Sequence, residues 1–168
     1  DFKIYAASLG ENILLHSIES TDDKIKVYSA VKSSGLSEKV ESLENGIDSQ
    51  LTKEFDDAGI FMSGGEFQKT AVARVFANDA PVAILDEPSS ALDPISEYEM
   101  FKNMNAACGD KTVIFISHRL SSAVMADKIY MLENGKIVEE GTHRELMDMN
   151  GKYAEMFRIQ AEKYREAD

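Results

Sequence analysis

A chain of 168 residues with a formal net charge of −12 and 43% hydrophobic residues has the size and composition of one globular domain, or the larger part of one. The acidic excess is spread on both sides of Pro81, so it reads as solvated surface, and it excludes a nucleic-acid binder that works by neutralising phosphates. The single cysteine, Cys108, excludes an intrachain disulfide and fits a reducing compartment, and no apolar run approaches the ~20 residues that cross a bilayer.

Residues 1 to about 80 read as mainly helical. The start, Asp1-Phe2-Lys3-Ile4-Tyr5, has neither an initiator Met nor a signal-peptide pattern, so it is expected to lie inside a longer protein. Thr21-Asp22-Asp23 predicts an N-cap with acidic first-turn residues, and Ser33-Ser34-Gly35 ends that helix. Ser37 opens a short helix closed by Asn45-Gly46, and residues 47 to 61 read as loop. Ser63 and Glu66 have capping-box spacing, and Phe67, Ala71 and Val75 with Val72 and Phe76 give the next helix an apolar stripe. Gly64 and Gly65 lack Cβ atoms, so backbone N–H groups at this helix start can approach an anion closely. Taken alone, the tetrapeptide is better accounted for by capping.

From Pro81 the texture changes. Val82-Ala83-Ile84-Leu85 and Thr112-Val113-Ile114-Phe115-Ile116 are short apolar runs that predict strands buried on both faces of a parallel sheet. A crossover helix over Ile95 to Ala107 completes a βαβ unit. Lys128 to Leu132 and Lys136 to Glu139 flank Asn134-Gly135, the strongest short hairpin signal. Thr142 with Glu145 predicts a capping box, and a final polar helix follows Gly151.

Three constellations in this second half carry chemistry. Asp86, at the C-terminal end of the first strand, lies where open α/β sheets place ligands, and it suits Mg²⁺ held through water. Glu87, one residue on, points elsewhere and can polarise a water for in-line attack on a phosphate. Two carboxylates ending a strand in solvent are an equally good account of the pair taken alone. Ser89-Ser90-Ala91-Leu92-Asp93 reads as a turn with Asp93 capping the crossover helix and Pro94 at its first position. His118, which taken alone reads as a surface or satisfied core histidine, ends the second strand at the same sheet edge as Asp86 and Glu87, where it can hydrogen-bond a γ-phosphate and an attacking water.

The order of these features along nearly the whole chain resembles the ABC ATPase family. Met62 to Glu66 is similar to its signature motif, with Met and Glu at the usual Leu and Gln. Asp86 and Glu87 match its Walker B aspartate and catalytic glutamate, Ser90 to Asp93 its D-loop, and His118 its switch histidine. Glu11-Asn12-Ile13 resembles the Glu-Asn-Ile of the family's helical subdomain, and Asp57-Ala58-Gly59 and Gly141-Thr142-His143-Arg144-Glu145-Leu146 resemble exporter members, whereas Pro88-Ser89 is as familiar in importers.

The resemblance implies an α/β fold: a partial P-loop NTPase (RecA-like) core with parallel strands over residues 81–168, plus an ABC helical subdomain over 1–80. It implies Glu87 and His118 as catalytic residues, and Ser63, Gly64, Gly65, Glu66 and Asp93 as the nucleotide contacts. It also implies Asp86 as the Mg²⁺ ligand, with ATP as substrate. A second nucleotide-binding domain packed head to tail, a transmembrane domain, no nucleic acid, and a place on the cytoplasmic face of the cell membrane complete the expectation. The P-loop pattern G-x-x-x-x-G-K-[ST] occurs nowhere in the 168 residues, and Asp1-Phe2 is similar to the residues just after the family's Q-loop glutamine. The chain is therefore expected to be a C-terminal piece of such a domain, inactive alone. The alternatives are a soluble ABC-type ATPase of DNA maintenance, which usually has a long coiled coil before the signature, and a non-catalytic interaction module.

Overall fold

A computed structural model of the chain describes residues 3–53, 59–109 and 111–165. They form two compact units, Asp1–Ile116 and Ser117–Asp168.

The first unit begins with helices. Helix α1 (Leu9–Leu14) starts at Ser8, whose hydroxyl accepts the Glu11 N–H while the Glu11 carboxylate accepts the Ser8 N–H. Helix α2 (Thr21–Ser33) is capped by Ser20 in a box with Asp23, so the expected cap at Thr21 is corrected by one residue. Ser20 wins because its hydroxyl lies three residues before Asp23, the separation that closes the reciprocal bonds. Helix α3 (Ser37–Ser42) and a 3₁₀ turn (Gly46–Asp48) follow, then α4 (Gly64–Ala77). Leu9 and Ile13 of α1, Val27 and Val31 of α2, and Ala73 of α4 bury against one another, with Leu36, Ile47, Leu51 and Met62 filling between. Asn12 is fully buried here, and its amide donates to the carbonyls of Tyr5, Ala7 and Ser8. Arg74 of α4 donates to the Asn12 carbonyl at 2.8 Å, which pins α1 to α4.

Strands β1 (Val82–Asp86) and β2 (Thr112–Ile116) pair in parallel with Ile84 opposite Ile114, joined through helix α5 (Pro94–Cys108) as the βαβ reading expects. One sheet face is packed: Phe101 of α5 meets Phe115 with ring centroids 4.9 Å apart, and Leu85 is buried beside them. The expectation of strands buried on both faces is corrected, because Ile84 is 71% and Ile114 51% exposed. Among the described residues of this unit the ladder has two strands only, and no element of the unit covers its other face.

The second unit holds a short helix α6 (Leu120–Ala123) and a hairpin of β3 (Ile129–Glu133) and β4 (Lys136–Gly141). Asn134 and Gly135 take φ of 50° and 74° at its turn, the left-handed pair that two-residue hairpins need. Helix α7 (His143–Met149) is capped by Thr142 and Glu145, and Glu139 accepts the Lys152 and Tyr153 N–H groups at the start of α8 (Lys152–Arg165). Leu146, Tyr153 and Ala154 form its buried centre. No helix among the described residues is long and apolar enough to cross a membrane.

Candidate functional site

Ser63 is the N-cap of α4, and its hydroxyl accepts the Glu66 N–H at 3.2 Å while Glu66 Oε2 accepts the Ser63 N–H at 2.7 Å. The box leaves the remaining first-turn N–H groups pointing out of the helix end, with the positive end of its dipole behind them. A Cβ added at Gly64 would meet nothing within 4 Å, so this peptide is open to an approaching anion. A Cβ at Gly65 would lie in ordinary van der Waals contact, 3.4 Å from the Ala91 carbonyl oxygen, which places Gly65 beside the turn that follows β1. Glu66 Oε1 sits 3.3 Å from Lys39 Nζ. Burial pushes the Glu66 carboxyl up, but the Ser63 N–H and the Lys39 ammonium outweigh it and hold the group below the usual carboxylate range.

At the other side of that packing, β1 ends in Asp86, whose side chain is exposed. Glu87 has φ of 50°, left-handed backbone that a residue with a Cβ rarely adopts. Its N–H donates to the Ile116 carbonyl at 3.0 Å and so extends the ladder by one bond past the strand. Ser89 donates its hydroxyl to Glu97 at 2.6 Å, both buried, which ties the turn to α5. Asp93 then caps α5 by accepting the N–H groups of Ile95 and Ser96, each at 3.0 Å, with Pro94 next, as predicted. Hydrogen bonds from Ser96, and then Ile95, hold the Asp93 carboxyl below its usual range.

Sequence reasoning missed the residue that joins these two parts. Gln68 of α4 is 3% exposed, and its Nε2 donates to the Glu87 carbonyl and to the Ser90 hydroxyl, both at 3.0 Å. Its Oε1 accepts the Ala91 N–H at 2.8 Å. The signal was present: Gln68 lies four residues before Val72, a polar side chain on the apolar stripe of α4.

The first unit thus brings Ser63, Gly64, Gly65 and Glu66 together with the Asp86–Asp93 segment. His118 belongs to the second unit, where its side chain is exposed. Gln160 of α8 there donates to the His118 carbonyl at 2.7 Å and accepts the Leu120 N–H at 2.9 Å, bracketing the histidine from both sides. Asp1, Phe2, Asp57 and Ala58 lie outside the described residues. Among the described residues no group of three or more His, Cys, Asp or Glu is placed to hold a metal. A lone exposed carboxylate such as Asp86 suits only a hard cation that keeps water and shares phosphate oxygens, the habit of Mg²⁺.

The ABC transporter family pattern matches residues 7–90, half of the chain. The chain is 38% identical over 161 residues to an ATP-dependent lipid A-core flippase of Ralstonia nicotianae, covering 95% of this chain and 26% of that protein. It is also 38% identical over 157 residues to a protein of Staphylococcus aureus (strain NCTC 8325 / PS 47) provisionally named a multidrug export ATP-binding/permease protein, covering 94% and 26%. The solved structure of a bacterial Atm1-family ABC exporter with ATP bound superposes with a TM-score of 0.80 at 31% identity, over 94% of this chain and 27% of that one. The chain spans about a quarter of the length of the curated relatives it matches.

Proposed function

The chain belongs to the ABC transporter family, and on that premise we propose that it is part of an ATPase domain whose ATP binding and hydrolysis drive export across a membrane. The observation that carries the reading is the contact of the α4 N-terminus with the turn after β1: Gly65 against the Ala91 carbonyl, and Gln68 bonded to Glu87, Ser90 and Ala91. A helix end open to an anion and a strand end carrying Asp86 and Glu87 are there tied into one unit.

Each residue has a defined task. Gly64 and Gly65 present N–H groups, Ser63 its hydroxyl proton, and α4 its dipole to the terminal phosphate of ATP held by a second, head-to-tail domain. Glu66 completes the cap, and Asp93 fixes the loop that meets the partner domain. Asp86 holds Mg²⁺, which supplies charge neutralisation on the phosphates when bound. Glu87 accepts a proton from the water that attacks the γ-phosphorus as the bond to ADP breaks, and His118 orients that water. Residues 1–80 serve as the helical subdomain that meets a transmembrane domain, and 81–168 as part of the catalytic core at the cytoplasmic face of the membrane. The flippase and exporter names of the relatives favour this over a soluble ATPase of DNA maintenance.

The 168 residues contain no P-loop pattern, the element that supplies the Lys and the nest of N–H groups for the β- and γ-phosphates. The purified chain alone is therefore expected to turn over negligible ATP, and Glu87-dependent turnover by it would contradict this. The test of the function is steady-state ATP hydrolysis by the full gene product that carries these residues. Turnover that falls by about 10²-fold or more in Glu87→Gln is the expected result. Equal turnover in both would sink the assignment.

A further inference from the structure

We propose that Gln68 is a positioning residue for hydrolysis, coupling the anion-facing end of α4 to the backbone of Glu87 and the turn behind it; this rests on the ATPase reading above. The amide is buried, and its orientation is fixed by its partners. The Ala91 N–H can only donate, so it faces Oε1, and the Glu87 carbonyl can only accept, so it faces Nε2. One side chain therefore grips the turn at both ends, at Glu87 and at Ala91, with Ser90 between them.

The grip matters because of what it holds. Glu87 sits at φ 50°, a backbone state that persists only when its surroundings fix it. Three bonds hold it: its N–H donates to the Ile116 carbonyl, and its carbonyl accepts both the Ser90 N–H, the local turn bond, and Gln68 Nε2, the bond that reaches it from α4. Relaxing this peptide toward ordinary φ swings the Glu87 side chain away from where the strand end aims it. Gln68 lies between one and two turns from Ser63 on the same rigid helix. A shift of α4 when Ser63 and Gly64 engage an anion is transmitted to the Glu87 carbonyl with no flexible link between. Anion contact at one site and placement of the carboxylate at the other become one event. Gln68 touches neither the nucleotide nor the reacting atoms in this account.

The test uses the full gene product with Gln68→Met, which keeps the volume and loses all three bonds, and Gln68→Glu, which keeps the acceptor for Ala91 and loses the donor to Glu87. Steady-state hydrolysis is measured alongside backbone hydrogen exchange without nucleotide. For Gln68→Met, kcat should fall about 10- to 100-fold with KM for ATP within about twofold. Exchange over Glu87–Ala91 should rise while α2 and α4 keep their protection. For Gln68→Glu, kcat should fall with the Ala91 amide still protected. Unchanged kcat in both variants overturns the proposal, as does loss of protection along all of α4 in both, which would make Gln68 a general packing residue. A wild-type product without turnover defeats the ATPase reading instead. In that case exchange decides the grip: faster at Glu87–Ala91 in Gln68→Met upholds it, and unaltered overturns it.

Discussion

Glu87 occupies left-handed backbone at a cost of about 1–2 kcal/mol for a residue with a Cβ, and glycine would sit there without that cost. A carboxylate kept at such a position implies that its side chain is worth more to the protein than the strain it carries. Glu87→Gly removes that strain together with the side chain's own interactions, and turnover of the full gene product is expected to disappear. Urea unfolding of the variant weighs the two: a gain of up to about 1 kcal/mol shows that the strain exceeds the interactions, and a loss of more than about 1 kcal/mol shows that the side chain stabilises the turn. The identity of Glu87 as a carboxylate at a strand end was legible in the sequence. Its backbone state was not, because positive φ in a residue other than glycine is set by tertiary bonds, here those of Ile116 and Gln68. Gln68 was hidden for the same reason, since a glutamine on an apolar stripe declares that it has partners without naming them.

Four helix starts in this chain are built alike. Ser8 with Glu11, Ser20 with Asp23, Ser63 with Glu66, and Thr142 with Glu145 all close reciprocal capping boxes. The Ser63 box is readable because a long apolar pattern follows it, and the Thr142 box is readable from its Thr-x-x-Glu spacing alone, since α7 has seven residues. The Ser8 box opens a helix of six residues, too short to show a period, and Ser20 hides beside a Thr that makes an equally good cap on paper. All four carboxyls lie below their ordinary range. For Glu11, Asp23 and Glu145 the leading cause is a backbone N–H bond, from Ser8, Glu19 and Thr142 respectively; for Glu66, the Ser63 and Lys39 contacts overcome burial. A depressed folded-state value means stability that is fully present above the unfolded carboxylate value of about 4 and is lost as pH falls through the lower folded one. Thermal unfolding midpoints should therefore be flat from neutral pH to about 5 and decline below about 4. Glu11→Gln keeps an acceptor without a proton to gain, so it should shallow that decline, whereas Ser8→Ala should cost about 1 kcal/mol at neutral pH. An acid limb as steep in Glu11→Gln as in the parent would remove this cap from the account.

For the whole molecule, the sequence announced a parallel βαβ unit correctly but not its surroundings, because apolar runs report what strands are built to bury and not what lies against them. Val82, Ile84, Ile114 and Ile116 all project from one face of the β1–β2 ladder and are about half exposed or more. Parallel sheets are rarely stable with a bare apolar face, and a two-strand ladder also offers unpaired N–H and C=O groups along its outer edges. Both features favour the same outcome when the 168 residues are studied alone: a second copy covers the face or extends the ladder. Sedimentation velocity on the purified chain should show concentration-dependent association. Ile84 and Ile114 are direct partners in the register, so Ile84→Lys with Ile114→Lys sets two like charges side by side on that face. The double variant should sediment as a monomer with its helix and strand content intact by circular dichroism. A parent chain that stays monomeric at high concentration would mean that water tolerates this face, and the drive to cover it would then have to be weaker than its exposed isoleucines imply.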